Sequence, residues 1–144
     1  MKTFKLLLLF SSIILAYSLN YGPTAKYPKV NSINIMPGLW KFNSIMPFYK
    51  KSETRCIKKS NELSVKKLMK TESKCKVLNI KQGMNSGSWR KDCLNEDGTI
   101  THIKGFVNYN ATTMNEVITY SSRGKSFKLK ISGKRVGKCK AKSK

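Results

Sequence analysis

Four cysteines, Cys56, Cys75, Cys93 and Cys139, are the residues of this sequence best equipped for covalent or metal chemistry. Zinc sites pair their thiolates at short spacing and add histidines. Here no C-x-x-C occurs and His102 is the single histidine, so a metal reading is poor and none is expected. An even number of cysteines in a small chain reads instead as two disulfides formed in an oxidising compartment. The same histidine limits hydrolytic chemistry. A pair of imidazoles is impossible, and a Ser-His-Asp or Cys-His site has to be built on His102, which falls beside Ile100 and Lys104 within a predicted strand. A lone strand histidine is ordinarily a surface or edge residue. The carboxylates are scattered through turns and helix starts, with no positioned pair. The expectation is a non-enzymatic protein without catalytic residues or cofactor.

Charge is the other chemical feature. Lys and Arg number 29 against 7 Asp and Glu, a formal charge of +22. A field of that sign attracts nucleic acid, anionic lipid or acidic polysaccharide, and it speaks to partners rather than to fold. The Lys-, Asn- and Ile-rich composition also fits a compositional bias, although such bias alone does not remove Glu.

The elements that must position these groups follow from the pattern along the chain. MKTFKLLLLFSSIILAYS has two lysines, an apolar run and a small-residue exit, the layout of a secretory signal peptide, so residues 1–18 are read as a leader and the protein as exported, periplasmic or secreted. Its apolar stretch is short for a span of about 20 residues, and no second such segment follows. Residues 19–36 carry Pro23 and Pro28 and no sustained period, and are expected to form an irregular arm. A single β-rich domain is expected over residues 37–140 and a basic tail over 141–144.

Within that domain Pro37-Gly38 opens a turn, and Trp40, Phe42 and Met46 share one face of a strand against Lys41 and Asn43. A short extended piece ends at Cys56-Ile57. Ser60 as a cap, Glu62 in the first turn and Lys66, Lys67 and Lys70 in the last predict one helix over residues 61–70. Five strands joined by turns follow, over residues 75–81, 88–94, 99–109, 113–121 and 126–135. Asp97-Gly98 is read as the most specific hairpin signal, a type I′ turn. Gly105 in the longest strand is read as a bend or bulge. With direct pairing of Cys75 and Cys93, neither face of that hairpin is purely apolar, so either a bulge shifts the register or both faces are covered. The fold class expected is a mostly β antiparallel meander of about seven strands, forming a curved sheet or partly closed barrel with one short helix and two disulfides.

Pro37-Gly38-Leu39-Trp40, Cys56-Ile57 before a short helix, Cys75-Lys76-Val77, Trp89 with Cys93, and Ser132-Gly133-Lys134-Arg135-Val136-Gly137-Lys138-Cys139 resemble the exported bacterial family catalogued as domain of unknown function 3617. The resemblance implies export and a small β-rich domain. It brings no catalytic residues, since the family has no assigned activity. Where the family commonly has Glu after the Trp and an acidic or neutral residue before the last Cys, this chain has Lys41 and Lys138. Its Met/Pro-rich stretch is reduced to Met46-Pro47. The basic character is a property of this chain.

Four cysteines allow three pairings. Cys75 and Cys93 flank one hairpin, which favours their union and leaves Cys56 for Cys139. Trp40 and Trp89 are expected as core anchors, because aromatics at alternating strand positions are more often core than stacking platforms. The leading functional expectation is an envelope binding or structural module of unknown role. The alternative is a polyanion-binding module that meets an acidic polymer or anionic membrane surface through Lys128, Lys130, Lys134, Arg135 and Lys138.

Overall fold

The computed structural model describes residues 32–69 and 74–140. The expected leader and the basic tail lie outside the described residues. Seven antiparallel strands form one sheet: β1 (Gly38–Met46), β2 (Tyr49–Ile57), β3 (Cys75–Gln82), β4 (Ser86–Leu94), β5 (Ile100–Asn110), β6 (Thr113–Ser122) and β7 (Lys125–Gly137). Their order is β2-β1-β7-β6-β5-β4-β3. The meander β3 to β7 is thus extended by β1, which pairs with β7, and β2 lies outermost. The sheet stays open, with β2 and β3 at its edges, so no barrel closes. Both edges carry charge, Lys50, Lys51, Glu53 and Arg55 on β2 and Lys76 and Lys81 on β3, which discourages pairing with another chain.

The inner face holds the core. Trp40, Phe42, Trp89, Ile103, Val107, Tyr109, Met114 and Ile118 are buried there, beneath Leu63, Val65 and Met69 from the segment after β2. Trp40 is fully buried and Trp89 nearly so. Ile33 and Ile35 also join the core. Residues 19–31 of the expected arm lie outside the described residues; residues 32–37 have no regular structure and are held by hydrogen bonds from Asn34 N to Met84 O and from Met36 N to Ala111 O, both 2.8 Å.

Several expectations are corrected. The single helix expected over residues 61–70 is, up to Met69, two pieces, a 3-10 turn (Ser60–Leu63) and one α-turn, α1 (Val65–Leu68), broken at Ser64, whose ψ of 153° is extended, and Lys70 lies outside the described residues. Glu62 rather than Ser60 caps the first piece: its Oε1 accepts from the N–H groups of Lys58 and Lys59 at 3.0 and 2.9 Å. The second piece is fixed by the Gln82 side chain, which accepts from Val65 N at 2.7 Å. The positive-φ pair expected at Asp97-Gly98 occurs at Arg123-Gly124, with φ of 49° and 72°. In the earlier turn only Gly98 has positive φ, and Asn95 accepts from its N–H. Gly105 makes no bulge, because β4–β5 and β5–β6 pairing runs through it unbroken. Its lack of a Cβ leaves room for the Trp89 indole.

The ambiguous hairpin resolves by a shift between Val77 and Asn79. Leu78 is the extra residue, and beyond it Ile80 moves opposite Trp89. Val77 and Ile80 therefore both pack against the core while Leu78 is exposed.

Candidate polyanion interface

Two disulfides brace opposite ends of the sheet. Cys75 and Cys93 are directly opposed on β3 and β4 and bonded. Cys56 on β2 is bonded to Cys139 just after β7, so the bridge spans β1 between them. The second bridge matters for the basic surface, since it fixes the outer edge of the sheet to the strand richest in lysine.

Alternation in β7 divides its charges. Lys128, Lys130 and Lys134 face outward, while Leu129, Ile131 and Gly133 face the core. Antiparallel pairing then sets each lysine in a row that crosses the sheet. Lys134 stands directly opposite Lys41 of β1, with Thr54 and Thr113 beyond. Lys130 lies between Ile45 and Val117, and that row continues through Phe106 and Ser88 to Lys81, with Lys50 at its other end. Lys128 leads through Thr119 to Lys104, which faces Arg90. Between the first two rows runs an uncharged one of exposed residues, Ser52, Asn43, Ser132, Asn115, Asn108 and Ser86.

Among the described strand residues of this face, Asp92 is the only carboxylate. It is engaged by His102 of β5, whose Nδ1 lies 2.8 Å from Asp92 Oδ1. Ser121 of β6 is opposite His102 on the other side, which puts Asp92, His102 and Ser121 in one row. That is the order of an orienting acid, a base and a hydroxyl, but no hydrogen bond joins Ser121 to the ring among the described residues, and the row lies on an open sheet surface. The ring is tied to Asp92 as a cross-strand pair.

The remaining two expected contacts stand apart. Arg135 is on the inner side of β7, opposite Trp40, and its Nε donates to Pro37 O at 2.9 Å. That bond clamps the start of β1, and the guanidinium occupies the space that a Cβ on Gly38 would fill. Lys138 lies beyond β7 in an open groove of about 600 Å3 shared with Arg135, Lys58, Lys140 and the Cys56–Cys139 bridge. Reasoning from the last strand alone missed Lys41, Lys50, Lys81, Arg90 and Lys104. For Lys41 and Lys104 the signal was available, since each occupies the polar phase of an alternating strand, but which rows they share follows only from the register.

The inner face has its own polar groups. Lys91 and Glu116 are 6% and 2% exposed. Burial pushes the Glu116 carboxyl up to about 7, opposed by the neighbouring Trp89 indole N–H, which falls short of hydrogen-bond geometry. Burial likewise raises the Tyr109 hydroxyl, which donates to Leu63 O at 2.7 Å. Lys91 Nζ sits 5.9 Å from the Trp89 ring centroid. A small cavity of about 190 Å3 lies alongside, between α1 and strands β4 to β6. No cluster of three or more His, Cys, Asp or Glu suited to a metal occurs among the described residues.

A family model described as a protein of unknown function, DUF3617, matches residues 35–139. The chain belongs to the DUF3617 family. The matched span of this DUF3617 protein takes in all seven strands and all four cysteines, from the buried Ile35 to Cys139. No curated protein and no solved structure matches it. Family membership therefore supplies the frame, and the chemistry has to be read from this DUF3617 chain's own side chains.

Proposed function

We propose that this protein is an exported, non-catalytic binding module that engages acidic polymers or anionic surfaces through the outer face of its sheet. Export rests on the leader-like residues 1–18 and agrees with two disulfides, which persist in oxidising compartments. The observation that carries the binding reading is the pairing of like charges. Lys41 faces Lys134 and Arg90 faces Lys104, an arrangement that destabilises a sheet in isolation. No carboxylate stands in the Lys41–Lys134 row or the rows next to it, whereas Asp92 lies one row from the Arg90–Lys104 pair and is engaged by His102. A polyanion laid across the rows relieves both repulsions at once and releases its own counterions.

The test is retention of the oxidised protein on immobilised heparin and on DNA as salt is raised. Binding that falls steeply between about 50 and 200 mM salt, with a slope corresponding to several released ions, is expected. Replacing Lys41, Lys130 and Lys134 together by Gln should flatten that slope. Elution of the unmodified protein at low salt despite its charge overturns the proposal and leaves a purely structural envelope role.

A further inference from the structure

The corner where β1 turns into β2 differs from the rest of the surface. Phe48, at the turn, is wholly exposed, with a relative accessibility of 102%. Beside it Tyr49 and Ile45 are 51% and 45% exposed. Strand β7 runs past the end of β1, since Ile45 is already paired with Lys130, and so brings Phe127 to the same end of the sheet. Phe127 is 46% exposed and stacks on Tyr120 at 4.8 Å. At this end Tyr49, Lys51 and Phe127 lie on the inner-face side of the sheet and Ile45, Lys50, Lys128 and Lys130 on the outer-face side, and Glu53 is 2.9 Å from Lys51.

We infer that this corner is a membrane-docking tip, in which Phe48 and Tyr49 enter the interfacial region of an anionic bilayer while Lys50, Lys128 and Lys130 meet the lipid phosphates. The inference rests on the polyanion reading and names its partner. A soluble acidic polymer complements the lysines but offers no apolar phase to a protruding phenyl ring. A bilayer surface offers both, and aromatic rings with lysines around them suit the headgroup level. No described helix is long and apolar enough to cross a membrane. Lys50 and Lys130 flank Ile45 in one row of the outer face, so the tip and the basic face act as one continuous surface.

Co-sedimentation of the exported, oxidised protein with vesicles tests this. The vesicles are of phosphatidylcholine alone or with about a third phosphatidylglycerol, and heparin retention is measured in parallel. The expected result is binding to the anionic vesicles only, weakened about tenfold or more by Phe48→Ser, with heparin elution unchanged. A Phe48→Trp variant should show a blue-shifted fluorescence component on adding anionic vesicles and none with the neutral ones. Heparin retention without vesicle binding overturns the membrane inference and leaves the polyanion reading standing. Vesicle binding that is indifferent to Phe48→Ser, with no fluorescence shift in the Phe48→Trp variant, overturns the insertion of the hairpin. Failure to bind either probe overturns both.

Discussion

The Trp89 indole occupies the space that a Cβ on Gly105, its partner across β4 and β5, would fill. A glycine in the middle of an eleven-residue strand ordinarily weakens it, through backbone entropy and the missing side chain. Here the void is filled by the larger of the two buried aromatic systems of the meander, so the glycine is part of the core. Gly105→Ala is expected to lower stability by about 1–3 kcal/mol, because the added methyl falls on the indole and forces a large rigid ring out of its place in the core. The urea midpoint should fall with the slope unchanged; a midpoint within error of the parent would show that Trp89 swings aside without cost.

Glu116 makes the fold sensitive to pH. Its carboxyl titrates near 7 in the folded protein and near its ordinary 4.5 when unfolded. Below about 4.5 both states are protonated and the group adds no pH dependence. As pH rises through the window from 4.5 to 7 the unfolded chain loses the proton first, so folding stability falls, and above 7 the loss is complete, on the order of 3 kcal/mol. Glu116→Gln should be insensitive to pH over that window and more stable than the parent at pH 8. Denaturant curves at pH 4.5, 6 and 8 check it, and parallel curves for the two proteins would count against a buried neutral carboxyl.

The two disulfides should contribute unequally. In the chain-entropy picture the Cys56–Cys139 bridge, 83 residues apart, contributes about 4 kcal/mol, and the Cys75–Cys93 bridge, 18 apart, about 3. Replacing Cys56 and Cys139 by Ser should therefore cost more than replacing Cys75 and Cys93. It should also loosen β2, an edge strand whose residues from Tyr49 to Arg55 are all exposed. Hydrogen exchange read strand by strand distinguishes the cases: faster exchange confined to β2 and β1 in the first variant, and to β3 and β4 in the second.

These contrasts show what the sequence made legible. The strands of the meander were readable because their apolar residues alternate and glycine or asparagine punctuates each turn. The full length of β2 was not, since an exposed edge strand carries no apolar phase to read. Ile33 and Ile35 were hidden for the opposite reason: a segment without regular structure enters the core through two side chains and has no period. The helix failed at Ser64 because a distant residue, Gln82, supplies the hydrogen-bond acceptor that starts the last turn. The basic rows were half legible, for lysine alternation in β7 could be read locally, whereas its alignment with Lys41, Lys104 and Arg90 depends on register between strands far apart in sequence.

That alignment leads to a test in which stability and binding move in opposite directions. Lys41 and Lys134 are directly opposed across β1 and β7, both exposed, with threonines as their outer neighbours in the row. Directly opposed like charges oppose strand pairing by about 0.2–1 kcal/mol, more at low salt than at high. Lys134→Thr removes the repulsion and puts a good strand former between Lys41 and Thr113. The variant should be more stable than the parent by a few tenths of a kcal/mol at low salt, with the gain fading as salt is added. Its heparin elution should move to lower salt, because one counterion-releasing contact is lost. A lysine that merely faces water predicts a different pair of results, a gain in stability with elution unchanged, and that pattern would remove Lys134 from the interface.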